Sequence, residues 1–143
     1  MSAWEKERVK KWRKRTRKSV EQLLTATGID SRTISIETLS YPLEWVDQIL
    51  SDFNLSVCID IGHLMINRFD VEKVFDTYAD RATIIHLHGV ENEKDHLSLD
   101  RLSKVSMDRV IRILKRFTGI VSLEVFSYQH LIASLKVLEK CWR

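Results

Sequence analysis

The sequence predicts an α/β fold built from parallel strand–helix units, and three observations predict it. Four short apolar runs, TISIET, VCIDI, TIIHLH and IVSLEV, recur along the chain with helical patterns between them. Continuous Val/Ile/Leu runs are how strands read when both faces of a parallel sheet are covered. Each run also ends on residues able to bind a metal: Glu37; Asp60 and His63; His86 and His88; Glu124. Ligands and catalytic groups gather at the carboxyl ends of the strands in such folds.

The element order is a helix, then strand and helix four times over. The first helix is expected over about residues 4–26, where Val9, Trp12, Thr16, Val20 and Leu23 step by three and four along one face. Gly28 is its stop signal. The first strand spans 33–38, and Ser40, Pro42 and Glu44 open a helix that runs to about 52. The second strand spans 56–61, with Gly62 letting the chain turn sharply off it. Asp70 caps a helix over 71–80, and the third strand follows at 82–88. A polar loop is expected from 89 to 99, then a helix from Ser106 to about 117. The fourth strand is 120–126, and Ser127 leads into a last helix over 129–141.

Such alternation with short loops means right-handed βαβ units and a parallel sheet. The chain has one Pro, four Gly and no low-complexity tract, so residues 1–143 read as a single domain, with 1–28 a basic amphipathic helix and 33–143 the four βα units. That length suffices for a real core.

Composition narrows the class. Apolar residues make up 44% and charged residues 30%, as in soluble globular proteins. No apolar stretch approaches the ~20 residues of a membrane span. The first residues carry no export signal, and the two cysteines, Cys58 and Cys141, form neither a disulfide framework nor a zinc knuckle, so a cytoplasmic location is expected. Residues 1–18 hold nine Lys/Arg against two Glu, a local balance of +7, which leaves −4 on the remainder. These charges read as the solvated side of the amphipathic helix, with nucleic-acid contact the minor alternative.

Strand alternation makes the pattern more specific. One face takes Ile34, Ile36, Val57, Ile59, Ile61, Ile85, Leu87, Val121, Leu123 and Val125, and is expected to pack on the helices. The other takes Ser35, Glu37, Cys58, Asp60, Ile84, His86, His88, Ser122 and Glu124. Small or mixed side chains lie deep on that second face, and a ligand-type residue ends every strand. A barrel interior suits it, yet a full barrel of eight units needs ~250 residues. The prediction is therefore half of a TIM (β/α)8 barrel.

A single acid at a strand end is often only a cap, and a single buried His only hydrogen-bonded core. Recurrence on one face and at one end of all four strands points to a converging site. Burying such groups is costly unless they are paired or bind a cation. The loop after the third strand, Glu91-Asn-Glu93-Lys94-Asp95-His96, reads either as ordinary acidic surface or as a cover in which Asp95 and His96 close over the site.

With its strand ends IET, IDIGH, IHLHG and SLEVFS, the chain resembles the carboxyl-terminal half of the xylose isomerase-like TIM barrels. That superfamily includes the endonuclease IV type of apurinic endonuclease and several sugar epimerases. The likeness spans roughly 33–138. Within the superfamily, IETLSYPLEWVD, VCIDIGHLM, IIHLHGV and KDHLSL are most similar to the cobamide-remodelling phosphodiesterases (the CbiR group). The resemblance implies one to three divalent metals and places Glu37, Asp60, His63, His86 and Glu124 at metal-site positions. It departs from the nucleases at Lys94-Asp95-His96, where those carry an Asp-x-His pair, and it lacks the first four βα units.

The implied function is divalent-metal-dependent phosphodiester cleavage of a cobamide. A mixed nitrogen and oxygen donor set suits Zn²⁺, Mn²⁺ or Fe²⁺. Glu37, Asp60, His86 and Glu124 are expected to bind metal, with His63 binding directly or through a bridging carboxylate. Asp95 or His96 is expected to act as general acid–base or as a loop ligand, and His88 to contact the substrate phosphate. The alternatives are a sugar isomerase or epimerase on the same metals, and a non-catalytic half-barrel that needs a partner half. Two copies closing one eight-stranded barrel, or a partner half from another chain, would cover the open edges.

Overall fold

The computed structural model describes residues 2–142. Helix α1 (Ala3–Thr27) opens on a capping box in which Ser2 Oγ accepts the Glu5 N–H and the Glu5 carboxylate accepts the Ser2 N–H. Gly28, at φ 64°, closes it in the left-handed conformation. Val9, Trp12, Thr16 and Val20 turn inward as the periodicity predicts, but Leu23 is 45% exposed. Leu24 replaces it, because 3.6 residues per turn carry the stripe forward by four at that point. Arg17 fixes α1 on the domain through an ion pair to Asp52 and a position over the Phe53 ring.

Strand β1 (Ser35–Glu37) is followed by a 3-10 turn (Leu43–Val46) that runs into α2 (Asp47–Asp52). Then come β2 (Ser56–Asp60), α3 (Ile61–Ile66), α4 (Val71–Tyr78) and β3 (Ala82–Leu87). A hairpin of β4 (Gly89–Glu91) and β5 (Lys94–Leu97) precedes α5 (Lys104–Leu114), β6 (Ile120–Leu123) and α6 (Tyr128–Trp142). The main sheet has the order β1-β2-β3-β6 with every pair parallel. This is the expected arrangement of parallel α/β units.

Val57, Ile59, Ile85 and Leu87 on one face of the sheet are fully buried, together with Leu50, Phe75, Val110 and Ile113 from the helices. The register sets Asp60 beside His86 and His86 beside Ser122, which aligns the ligand-type side chains across the sheet.

Several boundaries differ from expectation for identifiable reasons. β1 starts later than 33 because Asp30 caps a short 3-10 turn over Ser31–Thr33, its side chain accepting the Arg32 N–H. The second strand ends at Asp60, and the unexpected helix α3 begins at once, with Asp60 as its N-cap. α5 is capped by Ser103, whose Oγ accepts the Ser106 N–H, rather than started by Ser106. The segment expected as a loop is the β4–β5 hairpin, because Asn92 and Glu93 both adopt positive φ (50° and 61°) and form a two-residue turn. Val121, expected against helices, is 41% exposed because β6 is an edge strand. Among the described residues no helix is long and apolar enough to cross a membrane.

Candidate metal centre

Asp60 is the hub of the site. It ends β2, it is wholly buried, and its Oδ1 accepts the His63 N–H at 2.8 Å, which holds His63 one turn into α3. The strand-to-helix transition therefore puts both side chains over the carboxyl edge of the sheet. Gly62 contributes by its lack of a side chain, not by the sharp turn expected of it. A Cβ there would lie 2.0 Å from His88 Cε1, so only glycine lets the α3 backbone pass over that ring.

Glu37 at the end of β1, Asp60, His86 near the end of β3 and Glu124 just past β6 form one compact group able to hold a metal ion. His86 Nδ1 lies 3.2 Å from Glu37 Oε1, 3.0 Å from Glu124 Oε2 and 3.9 Å from Asp60 Oδ2. A second group, His63, His88 and His96, sits beside it. The two are joined by His63 Nδ1, 3.4 Å from Asp60 Oδ2 and 3.7 Å from Glu37 Oε1, and by His96 Nε2, 3.8 Å from Glu124 Oε1. All seven residues, five expected as metal ligands and His88 and His96 expected beside them, converge within one patch.

Hairpin β4–β5 supplies the upper wall. His96 has φ 53°, a backbone turn that swings its ring inward. That ring stacks on His88 at 4.3 Å and on Phe126 at 4.3 Å, between the two. Asp95 lies at the rim, 42% exposed, with Oδ1 3.0 Å from His96 Nδ1 and Oδ2 3.7 Å from His63 Nε2. The hydrogen bond from His96 holds the Asp95 carboxyl below its usual range.

His88, expected to touch substrate phosphate, is fully buried. Its Nδ1 accepts the His96 backbone N–H at 2.9 Å, so the neutral ring carries its proton on Nε2, 3.1 Å from Asp60 Oδ1. His88 thus buttresses Asp60, and it would have to give up that proton to serve as a ligand itself. Burial pushes the Asp60 carboxyl up, but the His88 contact and the His63 N–H outweigh it, and the net shift is downward. Burial likewise lowers the His88 pKa and Asp60 more than offsets it. A second proton would go to Nδ1, toward the Gly89 carbonyl at 3.3 Å.

Polar atoms here are left over. Asp60 Oδ2, His63 Nδ1 and Glu124 Oε2 are enclosed with no aligned hydrogen-bond partner. Orphaned buried acceptors and imidazole nitrogens cost about 1–3 kcal/mol each, and a divalent cation is the species that would satisfy several at once. Carboxylates and imidazoles are a donor set for Zn²⁺, Mn²⁺ or Fe²⁺. The residues present therefore fit a metal.

Three contributors escaped sequence reading. Thr38, 1% exposed, accepts the Asp60 N–H with its hydroxyl at 2.8 Å. Tyr41 donates its hydroxyl to the Glu37 carbonyl at 3.0 Å. Phe126 covers the His96 ring although it is itself 80% exposed. The one available signal was position, since Thr38 and Phe126 are the last residues of the strands expected at 33–38 and 120–126. Neither a family model nor a curated protein matches the chain.

Proposed function

We propose that the chain is a divalent-metal-dependent phosphodiesterase, and that its substrate is the nucleotide loop of a cobamide. The observation that carries the reading is the Glu37–Asp60–His86–Glu124 group with the His63–His88–His96 group beside it, and Asp60 Oδ2, His63 Nδ1 and Glu124 Oε2 enclosed without aligned hydrogen-bond partners. Two neighbouring metal positions suit a diester, in which both the attacking and the leaving oxygen need charge stabilisation. The cobamide reading rests on the resemblance of IETLSYPLEWVD, VCIDIGHLM, IIHLHGV and KDHLSL to the remodelling phosphodiesterases.

A bound divalent ion supplies Lewis-acid polarisation of the phosphoryl oxygen and brings the pKa of water at the site toward ~7. The chain's own residues do the rest. Glu37, Asp60, His86, Glu124 and His63 hold the ion or ions. His88 keeps Asp60 in one orientation through Nε2. Asp95, exposed at the rim and held ionised by His96, is placed to take the proton of the attacking water, and His96 to give one to the oxygen that leaves phosphorus. Phe126 and the hairpin keep bulk water from the His96 side.

The sheet is read as half of a (β/α)8 barrel, completed by a second copy or by a partner half. Its support is the open β6 edge, where Ile120 is 67% exposed and Val121 41%.

Purified protein analysed for bound metal and incubated with a cobamide tests the function, with product mass as readout. Cleavage at the phosphodiester is expected, with Glu37→Gln and Asp60→Asn each reducing metal content and lowering the rate by about 100-fold or more. Retention of both by the two variants would overturn the assignment. Turnover of ketoses with no action on the cobamide would transfer the same metal site to sugar isomerisation.

A further inference from the structure

A cleft of about 460 Å³ opens between the end of α3 and the start of α5, behind the β4–β5 hairpin. Arg68, Arg101 and Arg109 line it with Ser103 and Ser106, and no carboxylate is among the lining residues. Three guanidinium groups facing one space repel one another until an anion enters. Their neighbouring acids hold them only in part. Glu91 reaches Arg101 at 3.6 Å on the exposed rim. Arg112 holds Glu72 Oε1 at 2.9 Å, while Arg109 Nε lies 3.5 Å from Glu72 Oε2, an ion pair in which Nε has no aligned acceptor.

Arg68 has no ion-pair partner among the described residues. It stands just past the end of α3 at φ 58°, a position that glycine fills with less strain. The start of α5 adds its positive dipole end, and no acid in the first turn neutralises it.

We propose that this cleft binds a phosphate-bearing small molecule. A phosphate presents enough acceptor oxygens for forked contacts from three arginines and the Ser106 hydroxyl at once, the Ser103 hydroxyl donating to Ser106 Oγ, whereas a lone carboxylate has only two oxygens. The cleft is separate from the candidate metal centre. The hairpin lies between them, with Val90 lining the cleft and Asp95 and His96 belonging to the other wall. An occupant would rest against β4, the strand paired with the one that carries Asp95 and His96.

The full chain titrated calorimetrically with inorganic phosphate and with pyrophosphate, and followed by amide NMR, tests the assignment. Saturable binding is expected, with shifts at the Ser103 and Ser106 amides. Arg68→Ser/Arg101→Ser should weaken it at least about tenfold. Both side chains are exposed, so an unchanged melting temperature is expected of that variant. Lys14→Ser/Arg15→Ser, which removes the same charge from α1, should stay within about twofold of the parent. Tighter binding of pyrophosphate supports a phosphorylated ligand, and equal binding supports free phosphate; either sustains the cleft. No saturation below about 10 mM, equal loss in the two variants, or shifts confined to the His63 and His96 amides would overturn it.

Discussion

Thr38 Oγ1 accepts the Asp60 N–H at 2.8 Å, joining the carboxyl ends of two neighbouring strands through a hydroxyl that solvent does not reach. The hydroxyl in turn lies 3.4 Å from the Asp60 carbonyl oxygen, to which it donates. One side chain thus replaces the sheet hydrogen bonding that stops where β1 ends and fixes the backbone of the residue on which both ligand groups depend. Thr38→Val keeps the shape and removes the acceptor. A buried N–H without a partner costs about 1–3 kcal/mol, so the variant should melt lower and bind metal more weakly. Thr38→Ser should recover most of both. Calorimetry of metal binding beside thermal unfolding checks this, and a valine variant with parental metal affinity would remove Thr38 from the site.

Gly62 offers a second, steric test. Its would-be Cβ falls 2.0 Å from the His88 ring, and that ring is wedged between Asp60 and His96. Gly62→Ala must therefore push His88 off Asp60 or shift α3. Overpacking of this kind costs about 1–3 kcal/mol. The helical position itself would favour alanine by about 1 kcal/mol, so net destabilisation in urea unfolding identifies the ring contact as the stronger effect. A more stable alanine variant would show that the backbone yields easily there.

Much of this arrangement is legible in the sequence itself, and for a physical reason. Strands covered on both faces read as apolar runs, so Glu37, Asp60, His86 and Glu124 stand out as polar breaks at their ends. The hairpin was hidden because Glu93 occupies a left-handed turn position where glycine is the usual signal. Helix α3 was hidden because its N-cap is also the last residue of a strand. The roles of Thr38 and His88 depend on which strand lies next to which, and local pattern carries no information about that.

Cys58 gives a pH prediction. Burial, with the carboxylates of Glu37 and Asp60 nearby, pushes its thiol up to about 12. At pH 8 the thiolate fraction is then about 10⁻⁴, against roughly a quarter for an ordinary cysteine. Iodoacetamide should label Cys141, which is partly exposed, well before Cys58. The folded thiol holds its proton above the unfolded value, so its contribution to stability is complete below about pH 8.5. It declines from there as pH rises toward 12. Equal labelling of the two cysteines in native protein would contradict the burial of β2.

The edges of the sheet carry the last prediction. β1 and β6 each pair on one side only, and β6 presents Ile120 and Val121 to solvent with no charged residue to discourage pairing. If two copies close one barrel, β6 of each copy pairs with β1 of the other. Sedimentation should then give twice the 16.8 kDa chain mass. Ile120→Lys/Val121→Lys places two charges on that edge, where exposure keeps the cost to the single chain within about 0.5 kcal/mol. The double variant should therefore sediment as a monomer with nearly unchanged secondary structure. Should the parent itself sediment as a monomer across the accessible concentration range while retaining bound metal, the four strands would suffice for the site, and no second half would be required to hold the ion.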